Sequence, residues 1–192
     1  MKYKRLYLRL NQKELISAQT RFHFDNQEHL FVEVYKKMTK CIQPVLYYEY
    51  DHFDRNKMTG VISLGTGPDR LMEDYQREGQ FSKAYAVECL SLELLSCSYK
   101  QLKEIIYRDR RQFLENMHFC DQGEIRELLP RLQMSWDQFP ISMNKFCALV
   151  PSKTVIFFGT IGTHACVTEH SCHLCDQKHC IFRRLTGEEH ED

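Results

Sequence analysis

Four cysteines near the end of the chain, Cys166, Cys172, Cys175 and Cys180, have the spacing of thiolates that share one metal ion or cluster. Cys172, Cys175 and Cys180 make the tight Cys-x2-Cys-x4-Cys part, and Cys166 precedes it. A tetrahedral zinc site and an iron–sulfur cluster both take such a set. His164, His170, His173 and His179 compete as ligands. No complete zinc knuckle is written here, because Leu185 stands where its last ligand would fall. Free thiols in a surface tail are the other reading of the same residues. The chain has 9 cysteines and no export signal, so a reducing compartment is expected. There, thiol, metal or cluster chemistry outweighs disulfide formation.

Three further groups have chemical potential. His118-Phe119-Cys120-Asp121 places a thiol beside an imidazole, the parts of a nucleophile–base pair. Sequence neighbours rarely reach the needed geometry, and no third orienting group is evident, so nucleophilic catalysis is not expected. Glu88 and Glu93 lie on a helical stretch; a cationic ligand would suit either, and a solvated helix face is the plainer reading. Pro151-Ser152-Lys153-Thr154 offers two hydroxyls and an ammonium to an anion, or simply a turn that sets the register of the next strand. Gly65-Thr66-Gly67 lacks the third glycine and the Gly-Lys-Ser/Thr ending of a phosphate loop, and reads as a helix start.

Composition limits what these groups can serve. A length of 192 residues fits one domain with a small appendage, divided here as 1–165 and a Cys-rich tail, 166–192. At 43% hydrophobic the chain can fill a core. Its 26 basic and 26 acidic residues cancel, so no nucleic-acid partner is expected, although Arg108, Arg110 and Arg111 form a local basic patch. The longest run without a formal charge, Thr154 to Thr168, is too short and polar for a membrane span. The basic N-terminus has no apolar run behind it, so the expectation is a cytoplasmic protein without a membrane partner.

The elements that must position these residues follow from periodicity. Asp25 or Asn26 caps a helix carrying Leu30, Val34, Met38 and Cys41, which Pro44 closes. Val45–Tyr50 and Val61–Leu64 read as strands. Thr66-Gly67-Pro68-Asp69 starts a helix that runs to about Gly79. A longer helix follows, with Tyr85, Cys89, Leu92, Leu95, Tyr99, Leu102 and Ile106 on one face. Another helix spans about 123–131. Ile141–Phe146 and Thr154–Phe158 read as strands. Helices and strands do not alternate regularly, so the class is α+β and not a doubly wound parallel sheet.

Three stretches together resemble a known family. The first is Ser63-Leu64-Gly65-Thr66-Gly67-Pro68 with Leu71-Met72 and the small-residue helix bearing Ala84, Ala86 and Glu88. The second runs from Gln133 to Gly159, with Ile141-Ser142-Met143-Asn144 and Leu149-Val150-Pro151-Ser152-Lys153-Thr154-Val155. The third is Cys172 to Arg183. In these the chain resembles the reactivation domain of cobalamin-dependent methionine synthase, in its short stand-alone form. The resemblance spans about residues 1–184, and its last third is the specific part. It implies a curved, mainly antiparallel sheet with packed helices. It also implies binding of S-adenosylmethionine so that its methyl group reaches cobalamin on a partner, a corrinoid-binding protein or methyltransferase. Glu88, His118, Phe119, Asp121, Pro151 and Lys153 are the ligand-binding positions implied, and the four tail cysteines the metal ligands.

One segment departs from the family's pattern. An Arg-x-x-x-Gly-Tyr stretch that embraces S-adenosylmethionine in the family falls at Gln112 to Asp121, where His118 and Phe119 replace glycine and tyrosine. No arginine sits at the expected position, although Arg110 and Arg111 are close. Losing glycine removes a freely accessible positive φ, and losing arginine removes a multi-donor fork for a carboxylate. The alternative implied is a binding or redox module without S-adenosylmethionine.

Overall fold

Thr154–Gly162 forms the longest strand, β7, and it lies inside the sheet rather than at an edge. The computed structural model describes residues 1–134 and 140–164. In chain order these give β1 (Lys2–Arg5), α1 (Gln12–Arg21), α2 (Glu28–Cys41), β2 (Val45–Tyr50), β3 (Lys57–Ser63) and α3 (Gly67–Arg77). Then come α4 (Phe81–Arg110), β4 (Phe113–Phe119), α5 (Gln122–Met134), β5 (Ser142–Met143), β6 (Leu149–Val150) and β7. Five strands join antiparallel in the order β1-β2-β3-β7-β4, and β5-β6 is a separate hairpin. The class is mixed α+β, and the sheet does not close into a barrel.

Alternation along the strands divides the core in two. Leu46, Tyr48, Ile62, Phe157, Leu114 and Met117 face the layer of α1 to α4. Tyr47, Val61 and Ile156 face the other way and pack on Ile125, Leu129 and Leu132 of α5 and on Ile141. Glycine makes the first face possible at one point: a Cβ on Gly60 would fall 2.1 Å from the Phe157 ring. β3 runs from Lys57 to Ser63, beginning before the apolar run Val61–Leu64 that marks the strand in the sequence.

Other expectations are corrected by local chemistry. The second helix begins at Glu28, with Gln27 as its cap. Asp25 instead accepts a 2.9 Å hydrogen bond from the Thr20 hydroxyl. On α4, Tyr85 is exposed and stacks on Phe24, while Ala84, Val87, Leu90, Leu94 and Leu102 are buried. A helix packed between the sheet and other helices buries more than one stripe. Ile141–Phe146 is not one strand. Asn144 accepts from the backbones of Phe146 and Ala148, and Cys147 turns at φ 63°, so the chain folds into the β5-β6 hairpin. Among the described residues no helix is long and apolar enough to cross a membrane.

Candidate functional site

The turn between β6 and β7 is held from three directions. The Val150–Pro151 peptide is cis, and Pro151 is buried. Next, the Ser152 backbone donates a 2.8 Å hydrogen bond to Asp69 in the first turn of α3, and the Ser152 hydroxyl donates to the same carboxylate. Lys153 accepts from the Leu64 backbone through its carbonyl, 2.9 Å, and its ammonium pairs with Glu88 of α4. Thr154 Oγ1 donates to Ser63 Oγ, 2.8 Å. Pro151 and Lys153 are thus joined to Glu88 and to the start of α3. The Glu88 carboxylate is engaged by that ammonium, so it is not a spare acid.

Glu93 does not lie on a solvated helix face. Its side chain is only 10% exposed and pairs with Arg21 of α1. Burial pushes its carboxyl up, and the Arg21 guanidinium opposes that rise without cancelling it. Its place is between helices, away from the turn.

His118, Phe119 and Asp121 sit apart from the turn, and Phe119 faces away from the other two. His118 lies on the α5 face, its Nε2 2.9 Å from both Glu124 oxygens. Phe119 faces the opposite way and packs on Tyr99 and Phe157. Asp121 caps α5: its carboxylate accepts from the Glu124 backbone at 2.9 Å, and Glu124 accepts from the Asp121 backbone at 2.8 Å. The Cys120 thiol is pushed up to about 12 by burial and by Glu124 and Asp121, which favours its protonated form over the reactive thiolate. The six residues singled out in the sequence therefore fall into two groups rather than one cleft.

One member of each group, His118 or Pro151, borders a shallow depression on the α5 side of the sheet. One, about 520 Å³, is bordered by His118, Phe158, Asn116, Asp51 and Lys57. The other, about 380 Å³, lies beside the turn and is bordered by Tyr3, Arg5, Tyr47, Ser63, Thr66 and Pro151. Both volumes fall in the range of small-molecule sites, roughly 300–1,000 Å³. The second takes its shape from sheet register. Arg5, Val45, Ser63 and Thr154 stand side by side across β1, β2, β3 and β7, and Tyr3 pairs with Tyr47 in the next row. Gly65, at φ +79°, lets the chain leave β3 and enter α3 at its rim.

Arg5 and Tyr3 were not foreseen in the sequence. Lys2-Tyr3-Lys4-Arg5 reads as a basic N-terminus, and only its alternation hints at a strand with Tyr3 and Arg5 on one face. The proposed metal ligands Cys166, Cys172, Cys175 and Cys180 lie outside the described residues. Among the described residues no group of three or more His, Cys, Asp or Glu side chains is placed to hold a metal ion. No protein-family model matches the chain, and no curated protein matches it.

Proposed function

We propose that this chain is a stand-alone homologue of the reactivation domain of cobalamin-dependent methionine synthase, binding S-adenosylmethionine in the depression beside Pro151 and docking on a corrinoid-binding protein or methyltransferase. One observation carries this reading. Ser63–Pro68, Ala84–Glu88 and Leu149–Val155 are distant in sequence and carry the resemblance, and direct bonds tie them into one corner. Those bonds are Leu64 to Lys153 and Glu88 to Lys153, and Asp69, the residue after Pro68, adds a bond to Ser152.

The depression beside the turn suits the ligand's chemistry. Arg5 supplies a guanidinium for a carboxylate, and the exposed Tyr3 ring, backed by Tyr47, supplies a face for a flat base or a sulfonium. Ser63 and Thr66 supply polar edges. The partner's corrinoid would supply, once reduced, a nucleophilic cobalt centre. The electron pair for the new bond to the methyl carbon would come from that centre, while the S–C pair would stay on sulfur and S-adenosylhomocysteine would leave. Such a transfer needs in-line positioning rather than an acid–base pair, which agrees with the protonated Cys120 and the engaged His118.

Calorimetric titration of the anaerobically purified chain with S-adenosylmethionine tests the reading. Saturable binding at one site is expected. Labelled methyl should then appear on an added corrinoid protein when a one-electron reductant is present. An absence of binding heat at two temperatures would remove the S-adenosylmethionine part. Retained docking on the corrinoid protein would then favour the binding-module reading, for which the mutual engagement of His118, Glu124 and Asp121 already speaks.

A further inference from the structure

We infer that Arg5 is the specificity-determining residue of the depression beside Pro151, selecting ligands that carry a carboxylate. For the body of the ligand the inference rests on the proposed S-adenosylmethionine reading; for the anion it rests on the depression itself.

The basic N-terminal segment is divided by strand alternation. Lys2 pairs with Asp109 at 3.0 Å, and Asp109 also accepts from the Tyr48 hydroxyl at 2.7 Å, on the helical side of the sheet. Arg5 lies on the opposite face, where it borders the depression. It is the only residue with a formal charge among the described residues that line it. It is exposed, and its guanidinium has no hydrogen bond, ion pair or ring contact among the described residues. Arg21 and Lys2, by contrast, are paired with Glu93 and Asp109.

The surroundings define what the guanidinium can take. Among the described residues no acidic side chain borders the depression, and Arg5 carries its one formal charge. A monoanion matches that charge, and the planar fork of donors fits a carboxylate through two parallel hydrogen bonds. The rest of the depression offers Val45, Pro140, Pro151 and tyrosine rings, interrupted by the Ser63 and Thr66 hydroxyls. A ligand with a carboxylate at one end and a flat, partly polar body fits this distribution. A neutral ligand of the same body gains nothing at Arg5.

The test compares two ligands on three proteins by calorimetry. The ligands are S-adenosylmethionine and its decarboxylated form, which keeps the base, ribose and sulfonium. The proteins are the wild type, Arg5→Gln and Arg5→Lys, each checked for a wild-type circular dichroism spectrum and unfolding midpoint. Wild type is expected to prefer the carboxylated ligand by about 10- to 100-fold, the value of a charged hydrogen-bonded contact. Arg5→Gln should bind both ligands with the weaker affinity, and Arg5→Lys should keep part of the preference. If Arg5→Gln retains the full preference, Arg5 is not the anchor, while binding of S-adenosylmethionine stands. If wild type binds both ligands equally, the depression does not read the carboxylate and the inference falls alone. If wild type binds neither, the proposed function falls and takes the inference with it.

Discussion

Glu93 shows how burial and pairing compete at one carboxylate. Its side chain is 10% exposed and pairs with Arg21, itself 17% exposed, while Glu14 and Lys100 pair nearby at 2.8 Å. Burial is the larger influence, so the folded protein holds a proton on Glu93 more tightly than the unfolded chain does. The linkage sign follows. Glu93's contribution to stability is fully present below the unfolded pKa, about 4.3, and is lost as pH rises through the higher folded value. Glu93→Gln keeps an oxygen for Arg21 and has no proton to release. Urea unfolding of both proteins from acid to neutral pH should therefore show the wild type losing ground to the variant as pH rises, with other carboxylates cancelling. A wild type that gains ground instead would mean that the Arg21 pair outweighs burial. Lys153–Glu88 differs in kind, because Glu88 remains 44% exposed and water shares the cost of its charge.

Contacts between elements depend on where side chains are missing. The start of α3 runs against the end of α2, where a Cβ on Gly67 would lie 2.1 Å from the Cys41 carbonyl oxygen. Gly67→Ala must push the two helices apart, at a cost of about 1–3 kcal/mol. It should also loosen Asp69 from Ser152, and with it the turn that carries Pro151. Urea denaturation would measure the cost, and a change too small to resolve would mean that the backbone yields freely there. How much of this was legible in the sequence varies by element. Val45–Tyr50 formed as read because its β-branched and aromatic residues leave no helical alternative. The Asn11–Glu14 capping box announces α1, yet few buried residues follow it, and the helix went unread. β4 was hidden by a bulge between Leu114 and Asn116. Its buried positions Leu114 and Met117 are three apart, which breaks the period of two. Beside the depression, the turn at Pro151–Lys153 was legible because proline and polar residues precede an apolar strand. Arg5 and Tyr3 were not, because all four residues of β1 are exposed and no apolar pattern marks the strand.

The described residues are held by two apolar layers, one on each face of the sheet, and every described member of both lies at or before Ile161. Fold and cysteine cluster should therefore separate. A chain ended after His164 is expected to unfold in one cooperative step at the midpoint of the full chain, because every described member of both layers is kept. The same truncation removes all four proposed metal ligands. Full-length protein purified without oxygen should carry about one zinc ion or one iron–sulfur cluster, measured by elemental analysis and visible absorbance, and the truncated chain should carry neither. If the truncated chain is markedly less stable, the tail is part of the folding unit, and the division at 165 is wrong. If both chains are metal-free while the full one exposes four rapidly alkylated thiols, the cysteines act as thiols. Should truncation remove the metal and leave S-adenosylmethionine binding intact, ligand binding belongs to the sheet corner beside Pro151. The cluster would then serve a separate step, such as delivering the electron that the methyl transfer requires.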